Sequence, residues 1–316
     1  MRIGIVVDSA CDLPAEFFQR HAITVLPIRV HLDGETLLDD RDPAVVRRFL
    51  DENLGLRGHA AETEPCSVEE ISALFLERLV IDYDSVICLT IAASRSPIHA
   101  NASRASFSIL KDYRPIRQAA GVPGPFLMRV IDTGNLFAGQ GVSAVEAVRL
   151  RDAGLNPGQM RERLEAVAYH TYGYMLPRDL YYLRARGQKK GDRSVGWFSA
   201  ALGTALDIKP LLRGFRGDTG PVAKVRGFEH GSEMLFTHVC QRVRAGLLTP
   251  TVCVSYGGDL AELDALPGYS GLRETCAEHD VELFESPMSI TGMINVGTGA
   301  VTVGFASEDY EFSVDV

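Results

Sequence analysis

Hydroxyl side chains gather where strand-like runs of this chain end. Asp8-Ser9 follows the run Ile3 to Val7, Ser94 and Ser96 follow Ser85 to Ile91, and Thr133 follows Phe126 to Ile131. Thr63 lies in the segment Ala60 to Cys66, which reads as a loop ahead of the next helix. In an open parallel sheet, ligands bind beyond the carboxyl ends of the strands, where loop side chains and free helix N–H groups converge. Hydroxyls and amides placed there suit an anion such as a carboxylate or a phosphate. Taken singly, each also fits a helix cap, so only their convergence points to a site. His99, one turn beyond Ser96, reads equally as a site residue or a surface residue. Asn295-Val296-Gly297-Thr298-Gly299 is either an anion nest or a strand-connecting turn. The basic run from Arg184 through Arg186, Lys189 and Lys190 to Arg193 reads first as a solvated turn, and otherwise as an anion-facing or docking patch.

Signatures of other chemistries are missing from the sequence. There is no G-x-G-x-x-G, no G-x-x-x-x-G-K-[ST], no G-x-S-x-G and no H-E-x-x-H, so nucleotide, hydrolase and metalloprotease readings lack their usual warrant. The eight histidines show no metal-like pairing. The six cysteines, Cys11, Cys66, Cys88, Cys240, Cys253 and Cys276, form no C-x-x-C pair or zinc spacing. They read as reduced, mostly buried thiols, and no metal or cofactor is expected.

The elements that must position these groups alternate in the first half. Ile3 to Val7 is a candidate buried parallel strand, and Asp12-Leu13-Pro14 opens a helix with a capping acid. Val25 to His31 and Glu35 to Leu38 flank Asp33-Gly34, a hairpin signal. Asp42-Pro43 starts a helix through about Asn53, and Ser67-Val68-Glu69-Glu70 is a capping box opening another through about Leu79. Strand Ser85 to Ile91 leads into a helix from about Pro97 to Tyr113. Strand Phe126 to Ile131 leads into a helix through about Ala153, and Asn156-Pro157 opens one more through about Tyr169. Strand and helix in alternation predict a parallel α/β sheet covered on both faces. After about His170 the pattern changes. Short strands at Ile208 to Leu212, Val222 to Val225, Val252 to Tyr256, Glu282 to Phe284 and Ala300 to Phe305 alternate with helices near Ser194 to Ala205, His230 to Ala245 and Leu260 to His279. The fold class expected is therefore α/β, with a parallel-sheet domain over 1–170 and an α+β domain over 171–316.

Composition agrees with a soluble globular chain of about two domains: 316 residues, 46% hydrophobic and 23% charged. Its apolar runs fall far short of the roughly 20 residues needed to cross a bilayer, and the strand-like N-terminus predicts a cytoplasmic location. A net charge of -9 repels phosphate backbones and anionic lipid, which argues against a nucleic-acid partner.

The motifs resemble the DegV family of bacterial fatty-acid-binding proteins. Ile5-Val6-Val7-Asp8-Ser9-Ala10-Cys11-Asp12-Leu13-Pro14 is similar to that family's opening I-V-T-D-S-x-x-D-L-P. Glu62-Thr63-Glu64-Pro65 resembles its T-S-Q-P loop, and Ile91-Ala92-Ala93-Ser94-Arg95-Ser96-Pro97 resembles its I-S-S-x-L-S-G turn. Ile131-Asp132-Thr133, Gly139-Gln140-Gly141, Asp179-Leu180-Tyr181-Tyr182-Leu183, Lys209-Pro210-Leu211-Leu212 and Lys224-Val225-Arg226 follow in the family's order. Asn295-Val296-Gly297-Thr298-Gly299 sits where H-x-G-P-G belongs.

This resemblance implies the two-domain DegV and dihydroxyacetone-kinase-like fold, with one long-chain fatty acid between the domains and no catalysis by the chain itself. It implies that Thr63 and Ser96 hold the carboxylate, with Ser9, Ser94, Asn295 and Arg186 also at the site. Some members present the acid to a separate fatty-acid kinase subunit, which makes acyl phosphate for phospholipid synthesis. Against the family pattern, the histidine is Asn295, the glycine after the turn serine is Pro97, the next threonine is Ile98, and the arginine of K-G-G-R-I is Gln188, with Arg186 close by. An asparagine donates to an oxygen but carries no charge, which removes a cationic partner for an acyl phosphate. The alternatives are a phosphotransferase for a small hydroxylated substrate, which fold analogy alone suggests, and a regulatory binder of another ligand.

Overall fold

The computed structural model describes residues 1–55, 61–179 and 207–313. Strand β1 (Ile3–Asp8) is buried throughout, as a β-branched run covered on both faces must be. It pairs in parallel with β2 (Thr24–Leu26) on one side. Strands β3 (Ile28–Leu32), β4 (Glu35–Asp39) and β5 (Ala61–Pro65) form a separate antiparallel sheet with β3 central. On the other side of β1 lies β6 (Ser85–Thr90), followed by β7 (Leu127–Asp132), which gives a four-stranded parallel sheet in the order β2-β1-β6-β7.

Two expectations fail here for legible reasons. The run Val25 to His31 is not one strand, because Pro27 has no N–H to continue a ladder: Val25 and Leu26 stay with β1, and Ile28 onward turns to the small sheet. The segment expected as a loop, Ala60 to Cys66, holds β5, whose polar residues pair with β3. The hairpin itself forms as expected, with Asp33 at φ 44° and Gly34 at φ 92° in the turn.

The second half builds a six-stranded mixed sheet in the order β10-β9-β8-β13-β11-β12. These strands are β8 (Thr171–Leu176), β9 (Ile208–Phe215), β10 (Asp218–Arg226), β11 (Thr251–Tyr256), β12 (Glu282–Pro287) and β13 (Val301–Ala306). Strand β8 and the helix Ile290–Val296 were not expected from sequence. The expected helix Leu260 to His279 breaks at Pro267-Gly268 into a 3-10 turn, Leu260–Ala265, and a helix, Tyr269–Glu278, with Gly268 at φ 85°. The helix expected to reach Tyr113 ends at Ser108 and passes through a 3-10 turn, and Tyr113–Ala119 is a separate helix. The expected helix Ser194 to Ala205 lies outside the described residues.

One helix joins the two sheets. Ala138–Asp152 is buried over Ala138 to Val148 and packs on β1 and β6 with one face and on β8, β11 and β13 with the other. A helix covered all round needs apolar or small residues all round, and this one begins Ala138-Gly139-Gln140-Gly141. The small residues let the backbones of helix and strand come together at Gly139 and Gly304. All six cysteines are buried and free.

Candidate functional site

The parallel sheet changes direction between β1 and β6: the chain runs from β1 outward to β2, then crosses to β6 on the far side. The crevice beyond their carboxyl ends is the expected place for a ligand. Asp8 ends β1 there, and its carboxylate accepts from Ala10 N at 3.1 Å and from Ile91 N, beyond β6, at 2.7 Å. Burial pushes its pKa up to about 6, outweighing those two amide bonds. Ser9 beside it is buried, and its Oγ has no partner among the described residues.

Ser96 stands at the first turn of the helix Ile98–Ser108, where its Oγ accepts from Ile98 N at 3.3 Å. Ser94 faces elsewhere. Its hydroxyl donates to the carbonyl of Gly217, in the β9–β10 turn, and so ties this loop to the second lobe. Thr133 is held by the sheet, donating to Thr90 O at 2.8 Å. His99 is tied down as well, through Nδ1 to Thr90 Oγ1 at 3.1 Å. Both take the structural role that sequence left open.

The register of β5 decides where Thr63 points. Opposite residues of an antiparallel pair share a face, and the pairs are Leu32 with Ala61, Val30 with Thr63 and Ile28 with Pro65. Val30 is fully buried in the core cluster, where its strand meets the helix Ile290–Val296, so Thr63 faces inward. Glu62 and Glu64 alternate to the outer face, where Glu64 pairs with His31 at 3.0 Å.

Asn295 lies on the helix Ile290–Val296, with its Nδ2 donating to Thr291 O at 2.7 Å. The glycines that follow take left-handed conformations, φ 98° at Gly297 and 73° at Gly299. Their amides are bound within the fold, Gly297 to Met293 O and Gly299 to Gly257 O, both at 2.8 Å, which makes this a strand-connecting turn rather than a nest. Arg186 and the basic run around it lie outside the described residues.

Thr63, Ser96 and Asn295 each adjoin a member of one apolar cluster, Thr63 by its register with Val30, Ser96 by its bond from Ile98 N and Asn295 by standing between Ile294 and Val296. Val30 and Ile98 belong to it from the first half of the chain, and Met288, Ile290, Met293, Ile294 and Val296 from the second. A rim of hydroxyls and an amide on an apolar body fits a ligand with one polar end and a long apolar remainder.

Sequence reasoning missed a buried charged group beside this rim. Asp12 was expected to cap a helix, but the helix Ala15–Arg20 has no side-chain cap. Asp12 instead pairs with Arg41 at 3.1 Å and accepts from Ser255 Oγ at 2.6 Å and Ser289 N at 2.9 Å. Asp39 accepts from Thr291 N at 2.8 Å, and burial raises its pKa to about 6. The alternation in β4 carried a signal, because it sets Asp39 on the same face as buried Leu37.

These buried acids predict an unusual pH profile. Between about pH 4 and 6 the folded chain keeps protons on Asp8 and Asp39 that the unfolded chain releases, so their contribution to stability falls as pH rises through that window, while His238, held down at about 4 by burial, adds an opposing rise. The fall is about 2 to 3 kcal/mol per carboxylate and flattens above pH 6. Glu70 and Asp84, held down at about 2 by Arg29 and by Arg2 with Arg117 respectively, lose their contributions only below the window. Denaturant unfolding of wild type and Asp8→Asn at pH 5 and 7.5 separates the two, because the variant keeps the His238 rise and loses the Asp8 fall, so its stability should change less unfavourably with rising pH. The same pH dependence in wild type and Asp8→Asn would refute this assignment.

Known proteins resemble this chain along nearly all its length. The profile described as an uncharacterised protein of the DegV family matches residues 2–308. A DegV domain-containing protein of Xanthomonas axonopodis pv. citri is 62% identical over 313 residues, covering 99% of this chain and 100% of the relative. Among solved structures, DegV of Bacillus subtilis, described as a fatty acid binding protein, superposes with a TM-score of 0.76 at 20% identity, covering 98% of this chain and 100% of its own. A fatty acid kinase (Fak) B3 protein of Streptococcus pneumoniae loaded with linoleic acid superposes with a TM-score of 0.74 at 17% identity, with 98% and 100% covered.

Proposed function

The chain belongs to the DegV family, and from that premise we propose that it binds one long-chain fatty acid between lobes 1–170 and 171–316 without catalysing a reaction itself. The observation that carries this reading is the β3–β5 register. It sets the Thr63 side chain on the same face as Val30, part of an apolar cluster that both lobes build. Thr63 and Ser96 hold the carboxylate at the rim, with Ser9 and Asn295 as further candidates and Arg186, outside the described residues, as one more. Ser94 serves the site indirectly, by holding the β9–β10 turn over the loop.

The physics of the ligand requires such a rim. An ionised carboxylate buried without donors costs several kcal/mol, and each charge-assisted hydrogen bond returns about 1.5 to 3 kcal/mol. A few hydroxyls and amides are the least a buried head group needs. The solved relatives described as fatty-acid binders support the ligand class. The kinase protein among them supports a finer reading, in which the head group is presented to a separate kinase subunit. Asn295, in place of a histidine, makes that coupling weaker in this chain. Among the described residues no helix is long and apolar enough to cross a membrane.

Denaturing extraction of the purified protein followed by lipid mass spectrometry should give close to one acyl chain per polypeptide. Finding no lipid, together with no uptake of added palmitate or oleate, would overturn the reading.

A further inference from the structure

The segment from Pro287 to Val296 leaves β12 and lies against the first lobe. Five of its side chains, Met288, Ile290, Met293, Ile294 and Val296, pack in the same cluster as Val30 and Ile98. Whatever holds this segment in place therefore decides whether the apolar site is closed. Three first-lobe side chains hold its backbone. Asp12 Oδ1 accepts from Ser289 N at 2.9 Å, Asp39 Oδ2 accepts from Thr291 N at 2.8 Å, and Arg41 Nη2 donates to Pro287 O at 2.8 Å. All three side chains are buried. Arg41 also donates to Asp12 Oδ1 at 3.1 Å and to Leu13 O at 3.2 Å, which ties two of the three contacts into one unit.

We propose that Asp12, Asp39 and Arg41 are positioning residues that clasp the segment Pro287–Val296 over the ligand cluster, and that release of this clasp admits and frees the acyl chain. The inference rests on the fatty-acid reading above. What separates a releasable clasp from a permanent seam is its incomplete satisfaction. Asp39 Oδ1, Arg41 Nε and Thr291 Oγ1 are buried and have no hydrogen-bond partner among the described residues. Opening the seam returns these atoms to water and so recovers part of what the broken bonds cost. Arg41 itself sits at φ 70°, a left-handed conformation that an arginine rarely adopts, so the chain holds a strained backbone at the clasp. Asp12 keeps a separate bond to Ser255 Oγ in β11, so the two lobes remain joined when the segment lifts.

Hydrogen–deuterium exchange on purified wild type, Arg41→Met, Arg41→Lys and Asp39→Asn tests the clasp without any ligand. In Arg41→Met the amides of 288–296 should exchange at least ten times faster, while those of β1, β6 and β11 keep their wild-type rates. Displacement of bound cis-parinaric acid by excess oleate should accelerate by a similar factor. Arg41→Lys should recover part of both effects, because it restores the charge without the forked geometry. Asp39→Asn keeps an acceptor for Thr291 N and should fall between wild type and Arg41→Met. If Arg41→Met does not fold, the lysine and asparagine variants carry the same comparison. Unchanged exchange across 288–296 in the folded variants overturns the clasp. A loosened segment with an unchanged release rate overturns its gating role. If wild type takes up no fatty acid, the functional reading fails, and the exchange pattern still decides whether these side chains hold the segment.

Discussion

Gly304→Ala is expected to destabilise the chain by about 3 kcal/mol or more, read as a lower midpoint in denaturant unfolding. A Cβ at this position would lie 2.5 Å from Ala138 O and 2.5 Å from Gly139 Cα, and both are backbone atoms at the start of the helix Ala138–Asp152. No rotamer change can relieve such a contact, so the helix must move away from β13. Overpacking that side chains can absorb costs about 1 to 3 kcal/mol, and a shift of backbone costs more. This helix also covers β1 and β6, so displacing it disturbs both sheets together. Gly271→Ala is the contrasting case. It lies in the helix Tyr269–Glu278 with nothing within 4 Å of an added Cβ, and alanine there should stabilise by about 0.5 to 1 kcal/mol. Equal effects at the two positions would show that close helix–strand packing does not govern the first.

The contrast between these glycines also explains how far the sequence was legible. Where local rules act alone, the reading held: Ser67 and Glu70 form the capping box, Asn156-Pro157 opens its helix, and Asp33-Gly34 turns the hairpin. Where tertiary contacts decide, it did not. The residues of β5 are too polar to read as a strand, and they become one because β3 offers an edge whose register they complete. Strand β8 follows a helix end with no turn signal between, and its identity comes from lying between β9 and β13. At the site, hydroxyls beyond strand ends were visible as types, but their partners were not. Ser94 is spent on Gly217 and Thr133 on Thr90, while Asp12 serves the lobe seam in place of a cap. Those differences depend on residues far apart in sequence, which local pattern cannot register.

Replacing Thr63 by valine and Ser96 by alanine is expected to weaken fatty-acid binding by about 1 to 3 kcal/mol each, or about 5- to 150-fold in Kd. Thr63→Val exchanges the hydroxyl for a methyl of the same shape in a strand position that favours branched residues, so the fold should be undisturbed. Its loss of affinity therefore reports the missing donor. Ser96→Ala also removes the bond from Ile98 N, and about 1 kcal/mol of stability should go with it. Binding is best measured well below the unfolding transition, by titration calorimetry with a soluble fatty acid. The double variant should lose less than the sum of the two single losses, because a carboxylate freed from one donor shifts toward water and gains less from the other. Glu64→Gln is the control on the same strand, since Glu64 faces outward to His31 and should leave affinity unchanged. Losses of a few tenths of a kcal/mol that simply add would return Thr63 to strand pairing and Ser96 to helix capping. The carboxylate would then have to be sought elsewhere along the rim, beginning with Ser9, whose buried hydroxyl has no partner among the described residues.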